Sequence, residues 1–150
     1  MNIAVILPVL NPDEKFAAFV KKLVSSDYKT IVVVNDGSAP EYVHYFEEAA
    51  ENPEVMVLTH EVNKGKGAGL KTAFRYLFEE RPDIEVAVTC DGDGQHTVES
   101  MQRCIDAFQE HPDSVIIGGR DFSNKNIPAR SRFGNTVSSV IYRFACGIKL

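Results

Sequence analysis

The sequence predicts a doubly wound α/β domain that is built on a parallel sheet. Five short apolar segments rich in Val and Ile alternate with longer segments in which apolar residues recur with a helical period. The short segments largely lack the in-and-out alternation of a sheet with one solvated face, as expected for strands that are buried on both faces. Strands that alternate with helices in this order are joined by right-handed crossovers.

The predicted strands and helices follow one another along the whole chain. The strands comprise residues 3–8, 30–34, 55–58, 84–90 and 114–117. The first and third helices carry apolar stripes at the spacing i, i+3, i+4, i+7 and i+8. These stripes are Phe16, Phe19, Val20, Leu23 and Val24, and Leu70, Ala73, Phe74, Leu77 and Phe78.

Two weaker helical patterns occupy residues 41–51 and 97–110. Thr97 is a suitable N-cap for the second of them. Pro82 and Pro112 follow predicted helix ends, because proline has no N–H with which to continue the helix.

A last helical pattern runs from Phe133 to Phe144 and ends at Gly147. Residues 148–150 then look like the first residues of a further strand. The sequence therefore predicts a fold that is truncated at its C-terminus, with residues 1–150 forming one part of a single domain. An apolar side left exposed by such a truncation is expected to promote self-association.

Composition excludes several classes of protein. The 150 residues are 44% hydrophobic and carry a net charge of -5, which is typical of one soluble globular domain and gives no field that would attract nucleic acid. The cysteines, at positions 90, 104 and 146, are odd in number and lack C-x-x-C spacing, which argues against a disulfide framework or a zinc knuckle. A reducing, cytoplasmic location is expected, and no apolar stretch approaches the ~20 residues of a membrane span.

Polar residues follow every predicted strand. In an open parallel sheet the carboxyl ends of the strands meet at one edge, and ligands bind there. Strand ends often carry turn-forming residues, but five polar loops in register favour a binding edge. The loops are Asn11, Asn35 to Ser38, Asn63 to Gly67, Asp91 to His96, and Gly118 to Asp121.

The loop Asp91-Gly92-Asp93-Gly94-Gln95 is the most specific of these motifs. Two carboxylates separated by a glycine, on a loop that leaves a buried strand, can face one divalent cation. Mg²⁺ and Mn²⁺ are commonly held by one or two carboxylates together with substrate phosphates. The alternative is an exposed turn of Asp and Gly without a ligand.

Other motifs resemble this region only in part. An EF-hand would need glycine and glutamate where His96 and Gln102 stand. Residues 65–72 are rich in glycine and lysine but have neither Walker nor dinucleotide spacing, although they could offer backbone N–H groups to an anion. A strand ending in Asp-x-Asp-Gly is also similar to the nucleophile loop of haloacid-dehalogenase-type phosphatases, in which Asp91 would be phosphorylated.

The five polar loops together resemble the family 2 glycosyltransferases with a GT-A fold, a mostly parallel, Rossmann-like sheet flanked by helices. The segment Asp91 to His96 is particularly similar to the branch that transfers sugars to polyprenyl phosphates. The resemblance rests on five motifs in order over essentially the whole chain. They are Pro8 to Asn11, Val34 to Ser38, Asn63 to Gly67, Asp91 to His96, and Gly119-Arg120.

This resemblance implies a role for each matching residue. Asp93, Gln95 and Asp91 would bind Mn²⁺ or Mg²⁺ on the diphosphate, with Asp93 and Arg120 as catalytic residues. Arg120 and one of Arg130 or Arg132 would face the acceptor phosphate. The residues that would contact the nucleotide are Pro8, Leu10, Asn11, Asp36 (at the base), Lys66, Asp91 and Gly92.

At two positions the chain departs from the family pattern. Leu10 and Pro12 stand where relatives often have Tyr and Glu, so base stacking and one polar contact with the nucleotide are in question. The residues that face the acceptor are expected to follow Leu150, so this chain alone is not expected to complete transfer.

The implied reaction is an inverting displacement from a nucleoside-diphosphate sugar to a polyprenyl phosphate or a glycan hydroxyl, at the inner face of the membrane. The alternative is a nucleotide-sugar binding module without turnover. Cys90 is interpreted as a small hydrophobic residue of the strand end. His44, His60 and His111 are predicted to have surface or capping roles.

Overall fold

The computed structural model describes residues 1–26 and 28–119. Residues 1–116 form one compact unit. In this unit, strands and helices alternate, with a short 3-10 turn at Pro40–Tyr42. The order is β1 (Ile3–Val9), α1 (Glu14–Ser25), β2 (Ile31–Asn35), α2 (Val43–Ala50), β3 (Val55–Thr59), α3 (Lys66–Glu80), β4 (Val86–Thr89) and α4 (Val98–Glu110).

The four strands form a parallel sheet in the order β3-β2-β1-β4. The register places Val5 beside Ile31 on one side of β1 and beside Val88 on the other. The central strand β2 is buried along its whole length, which explains why its sequence shows no polar alternation. The predicted parallel α/β sheet is therefore confirmed.

Helices cover both faces of this sheet. On one face α1, α2 and α4 pack with the side chains of Val5, Leu7 and Val33 in one apolar cluster. On the other face α3 contributes Ala73 and Leu77 to a second cluster with the alternate strand residues Ala4, Ile6, Val32 and Val34. Successive strand residues point to opposite faces, so both sets are buried and the doubly wound arrangement is confirmed.

The helix ends follow their local chemistry. The Asp13 carboxylate accepts a hydrogen bond from the Lys15 N–H at 2.9 Å at the start of α1. The Thr97 hydroxyl accepts one from the Ser100 N–H at 3.2 Å at the start of α4, which confirms the predicted N-cap. Pro82 and Pro112 each stand two residues beyond the last residue of a helix.

Two expectations about apolar residues are wrong. Residues 114–117 form no strand, and Val115 is 90% exposed. β4 is an edge of the described sheet, and a short apolar segment becomes a strand only where a partner strand accepts it. On α3, Phe74 and Phe78 are 47% and 85% exposed. This helix contacts the sheet through a narrower stripe at i, i+4 and i+8, namely Gly69, Ala73 and Leu77.

The predicted helix from Phe133 to Phe144 and the predicted strand at 148–150 lie outside the described residues. Within residues 1–26 and 28–119, no helix is long and apolar enough to cross a membrane.

At the carboxyl edge of the sheet, the loop after β2 packs directly on the backbone of the segment after β3. Gly37 has a φ of +73°, and a Cβ there would lie 2.3 Å from the carbonyl carbon of Val62. Gly65, the N-cap of α3, also has a positive φ, of +86°, but has nothing within 4 Å of the position of a Cβ. A side chain at Gly65 would therefore only strain the backbone, whereas one at Gly37 would also collide with Val62.

We expect Gly37→Ala to destabilise the protein more than Gly65→Ala. Both substitutions strain the backbone, at about 1–3 kcal/mol each, but only Gly37→Ala adds a clash with a neighbouring backbone, about 1–3 kcal/mol more. Urea denaturation of the two variants and the parent measures the difference. Equal losses would show that the two loops do not pack as described.

Candidate nucleotide site

The loops after β1 and β2 are joined by Asn11. Its backbone N–H donates to the Ser38 hydroxyl at 2.8 Å, and its side-chain oxygen accepts from the Ala39 N–H at 3.0 Å. Asn11 has a φ of 48°, a left-handed conformation that Asn tolerates better than most residues. Asn35 in turn accepts a hydrogen bond from the Ser38 N–H at 2.9 Å. These bonds fix one end of the binding edge.

Of the other residues predicted on the first loop, Pro8 is half-buried and is paired with Val34 in the sheet. The side chain of Leu10 is 45% exposed. Pro12 is buried. The structure therefore brings Pro8, Leu10 and Asn11 to the carboxyl edge, where Leu10 offers an apolar surface.

Asp36 is a buried carboxylate whose two oxygens both hold the segment after β3. Oδ1 accepts from the Lys64 N–H at 2.9 Å and lies 2.7 Å from His60 Nδ1, and Oδ2 accepts from the Gly65 N–H at 2.8 Å. Burial alone would raise the pKa of this carboxyl, but the hydrogen bonds from His60, Lys64 and Gly65 outweigh it and lower the pKa. Asp36 is therefore an anion that anchors the start of α3.

The predicted contact between Asp36 and a nucleotide base stays a prediction. The bonds within the chain give Asp36 a structural task that its position after β2 did not reveal. Each carboxylate oxygen has two lone pairs, so Oδ2, which accepts one hydrogen bond within the chain, retains capacity for another donor.

His60 is the functional candidate that sequence reasoning missed. It was expected to have a surface or capping role, but it is only 8% exposed. Its ring bridges Asp36 to α3, with Nε2 2.9 Å from the Thr72 hydroxyl. The available signal was its position: it follows β3 directly, at the same edge where Asp36 follows β2.

Lys66 and Asp91 join α3 to the loop after β4. The ammonium of Lys66, the first residue of α3, forms an ion pair with the Asp91 carboxylate. His96 Nε2 lies 3.6 Å from the other oxygen of Asp91. The hydrogen bond from Lys66 is the main cause that lowers the pKa of Asp91, and His96 adds to it. The structure thus brings Lys66 together with Asp91 and His96, which the sequence places on a different loop.

Asp93 is oriented differently from Asp91. It is exposed, and its Oδ1 accepts a hydrogen bond from the Gln95 N–H at 3.0 Å. Gly92 lies between the two carboxylates, where a Cβ would stand 2.7 Å from Val9 Cγ2. Only glycine therefore lets this loop lie so close to the end of β1.

The loop fits a divalent cation that is shared with a ligand better than one held by protein alone. Among the described residues, no group of three His, Cys, Asp or Glu side chains could hold a metal ion. Asp91 and Asp93 supply two carboxylates, and Mg²⁺ in proteins commonly takes one or two carboxylates and completes its shell with phosphate and water. The residues present therefore fit the predicted cation, with Gln95 as a third candidate ligand.

Of the remaining candidate residues, the structure describes Cys90 but not the three arginines. Cys90 is buried, and burial raises the pKa of its thiol to about 12, which agrees with its interpretation as a small hydrophobic residue. Arg120, Arg130 and Arg132, predicted at the acceptor phosphate, lie outside the described residues.

The Asp36 anchor predicts a pH-dependent loss in the variant Asp36→Asn. In the variant, the NH₂ group of the amide faces an N–H donor of the segment after β3 where a carboxylate oxygen stood. The variant should therefore be less stable at neutral pH by about 1.5–3 kcal/mol. Because the pKa of the folded carboxyl lies below its ordinary value of 3.8, its contribution is complete above that value and is lost as the pH falls through the lowered pKa.

Urea denaturation of parent and variant at neutral and acid pH measures this difference. The free energies of unfolding should converge in acid. A gap of the same size at both pH values would contradict the charged anchor.

The chain was compared with known proteins. One relative is the UDP-N-acetylglucosamine–dolichyl-phosphate N-acetylglucosaminyltransferase of Methanococcus voltae. It is 28% identical to this chain, over 93% of this chain and 61% of the relative. An undecaprenyl-phosphate mannosyltransferase of Micrococcus luteus is 26% identical, over 100% of this chain and 62% of the relative. The chain thus spans about three-fifths of the length of these two relatives.

A solved structure and a family model complete the comparison. The crystal structure of S. aureus TarS 1-349 superimposes with a TM-score of 0.61 at 21% identity, over 85% of this chain and 38% of that one. This likeness supports the predicted GT-A type of α/β fold. The model of glycosyl transferase family 2 matches residues 4–147. The chain therefore belongs to glycosyl transferase family 2, as its motifs indicated.

Proposed function

We propose that this chain forms the donor-binding part of a metal-dependent glycosyltransferase, which transfers a sugar from a nucleoside diphosphate to a polyprenyl phosphate. The observation that carries the proposal is the ion pair between Lys66 and Asp91, with exposed Asp93 two residues further on. The ammonium of Lys66, the start of α3 and two carboxylates thus lie at the edge of the sheet where ligands of such folds bind.

The diphosphate is assigned to the start of α3. The N-cap residue Gly65 has no side chain to cap this helix. Asp36 accepts from the Gly65 N–H, and the partial positive charge of the helix N-terminus favours a further anion beside it. Lys66 adds a full positive charge at the first residue. The nucleoside would then lie over the first two loops, beside Leu10, Asn11 and Asp36.

The divalent cation is assigned to Asp93, with Asp91 and Gln95. When bound, Mn²⁺ or Mg²⁺ would stabilise the negative charge that develops on the leaving diphosphate. Asp93 holds its carboxylate toward solvent, while Lys66 keeps Asp91 ionised by lowering its pKa. The chain thus offers two carboxylates as oxygen ligands.

A polyprenyl phosphate is the acceptor that this site favours. A phosphate acceptor is already ionised and needs no protein base, whereas a glycan hydroxyl would need one. His96 lies beside Asp91 at 3.6 Å, which places it in the proposed metal loop rather than at an independent base position. The two relatives described above carry lipid-phosphate acceptors in their names.

Arg120 and one of Arg130 or Arg132 remain our candidates for holding the acceptor phosphate. With a lipid acceptor, the protein would work peripherally at the inner face of the membrane. A nucleotide-sugar binding module without turnover stays the alternative function, and it would use the same donor site. The family match gives no support to the phosphatase interpretation of Asp91.

We expect nucleoside diphosphates to raise the melting temperature of the protein only when Mn²⁺ or Mg²⁺ is present, since a ligand that binds only the native state stabilises it. Asp93→Asn removes one ligand charge from an exposed residue, so the fold should persist and the metal-dependent rise should vanish. A panel of uridine, guanosine and other diphosphates, each with and without Mn²⁺, measures this by thermal shift.

The control for this experiment is Asp113→Asn, which changes an exposed aspartate in the turn after α4. It should behave as the parent. An undiminished Mn²⁺-dependent shift in folded Asp93→Asn would overturn the assignment of the cation. Transfer of labelled sugar to polyprenyl phosphate then separates an enzyme from a binding module.

A further inference from the structure

We propose that His60 is a positioning residue for the diphosphate site, which it controls by orienting the Asp36 carboxylate. This inference rests on the proposed function for its consequence but not for its geometry. His60 is buried between Asp36 and Thr72, so it acts on the site through these neighbours rather than by contact with the donor.

The backbone fixes where His60 stands. Its N–H donates to the Asn35 carbonyl at 2.9 Å, which extends the pairing of β2 and β3 by one residue. The carbonyl that holds His60 therefore belongs to the residue just before Asp36. As a result, the backbone holds the imidazole ring and the carboxylate beside each other, at the neighbouring ends of β3 and β2.

The ionised state of Asp36 defines the direction of the hydrogen bonds. Its oxygens only accept, because the carboxylate carries no proton. Nδ1 of His60 must therefore be the donor in the 2.7 Å contact. In the neutral ring Nε2 is then an acceptor, and the Thr72 hydroxyl donates to it across 2.9 Å.

This chain of bonds attaches α3 at two points. Asp36 accepts from the backbone of Lys64 and Gly65 at the start of the helix, and His60 reaches Thr72 further along it. Gly65 and Thr72 are seven positions apart in the sequence, which is about 10 Å along a helix. Two attachments at this separation act together with the packing of Gly69, Ala73 and Leu77 on the sheet to fix the position and the rotation of α3.

The rotation of α3 decides where Lys66 points. Lys66 directly follows Gly65 and carries the ammonium that pairs with Asp91. A carboxylate that turned away from Lys64 and Gly65 would release the start of the helix. His60 thereby acts on the anion site and the metal loop without touching either ligand.

The test uses two variants, each of which puts an amide nitrogen at the position of one nitrogen of the imidazole ring. In His60→Asn the amide nitrogen takes the place of Nδ1 and can still donate to Asp36. In His60→Gln the amide nitrogen takes the place of Nε2 and leaves Asp36 without its side-chain donor. Thr72→Val and Thr72→Ser form a second pair, of which only the serine keeps the hydroxyl.

The readout is hydrogen exchange of the Lys64 and Gly65 amides. Both residues are exposed, and Asp36 accepts from both N–H groups, so the protection of these amides reports the orientation of the carboxylate. A hydrogen bond to a charged group is worth about 1.5–3 kcal/mol, so we expect His60→Gln to lower their protection by about tenfold or more. His60→Asn should stay near the parent, and buried β2 amides report global unfolding in the same experiment.

Equal protection in the parent, His60→Asn and His60→Gln would overturn the proposal. So would an equal loss in both variants, or a loss that the β2 amides share in proportion, because the role would then be purely structural. We expect Thr72→Ser to match the parent and Thr72→Val to lose protection, but less than His60→Gln.

Binding of UDP or GDP with Mn²⁺ to the same variants gives the functional readout. We expect His60→Gln to bind about tenfold more weakly and His60→Asn to bind like the parent. If the parent binds neither diphosphate, the proposed function fails, while the amide exchange still decides the role of His60.

Discussion

The candidate site depends on one buried anion. A carboxylate that is removed from water must be compensated by hydrogen bonds or by a cation, and Asp36 finds three donors in the segment from His60 to Gly65. Satisfying this charge fixes the loop after β3 against the end of β2. It also fixes the start of α3, from which Lys66 reaches Asp91 on the loop after β4. Three of the polar loops are thus held in one arrangement by Asp36 and the ion pair between Lys66 and Asp91.

The two carboxylates of the metal loop differ in what already holds them. Asp91 is half-buried and paired with Lys66 and His96, so its orientation is set before any ligand binds. Asp93 is exposed and its bond to the Gln95 N–H shapes the turn around it. A site with one fixed and one accessible carboxylate suits a cation that arrives with a diphosphate, which is the arrangement that our proposed function requires.

The general fold was predictable because its signals are local. The central strands lack alternation since both faces are covered, and Thr97 is a cap whose role depends only on the next few residues. Residues 114–117 and Phe74 were predicted wrongly because their burial depends on partners elsewhere in the chain. A strand-like or helix-like apolar pattern states what a segment could bury, not whether a neighbour covers it.

The candidate site was predictable as a place but not as a network. The position of polar residues after each strand located the edge, and Lys66 and Asp91 meet there. The bond between Asp36 and His60 joins residues 24 positions apart, and the type of neither residue indicates which side chain it contacts. Sequence spacing alone could not distinguish a histidine that contacts a ligand, one that faces solvent and one that holds another side chain.

A crystal structure of the protein with a nucleoside diphosphate and Mn²⁺ tests the central claim most directly. Manganese can be located by its anomalous scattering, independently of the nucleotide. The account predicts one metal peak within coordination distance of Asp93, a diphosphate between that peak and the start of α3, and Asp36 still bound to Lys64 and Gly65. A diphosphate bound elsewhere, or a metal peak away from the loop from Asp91 to Gln95, would contradict it.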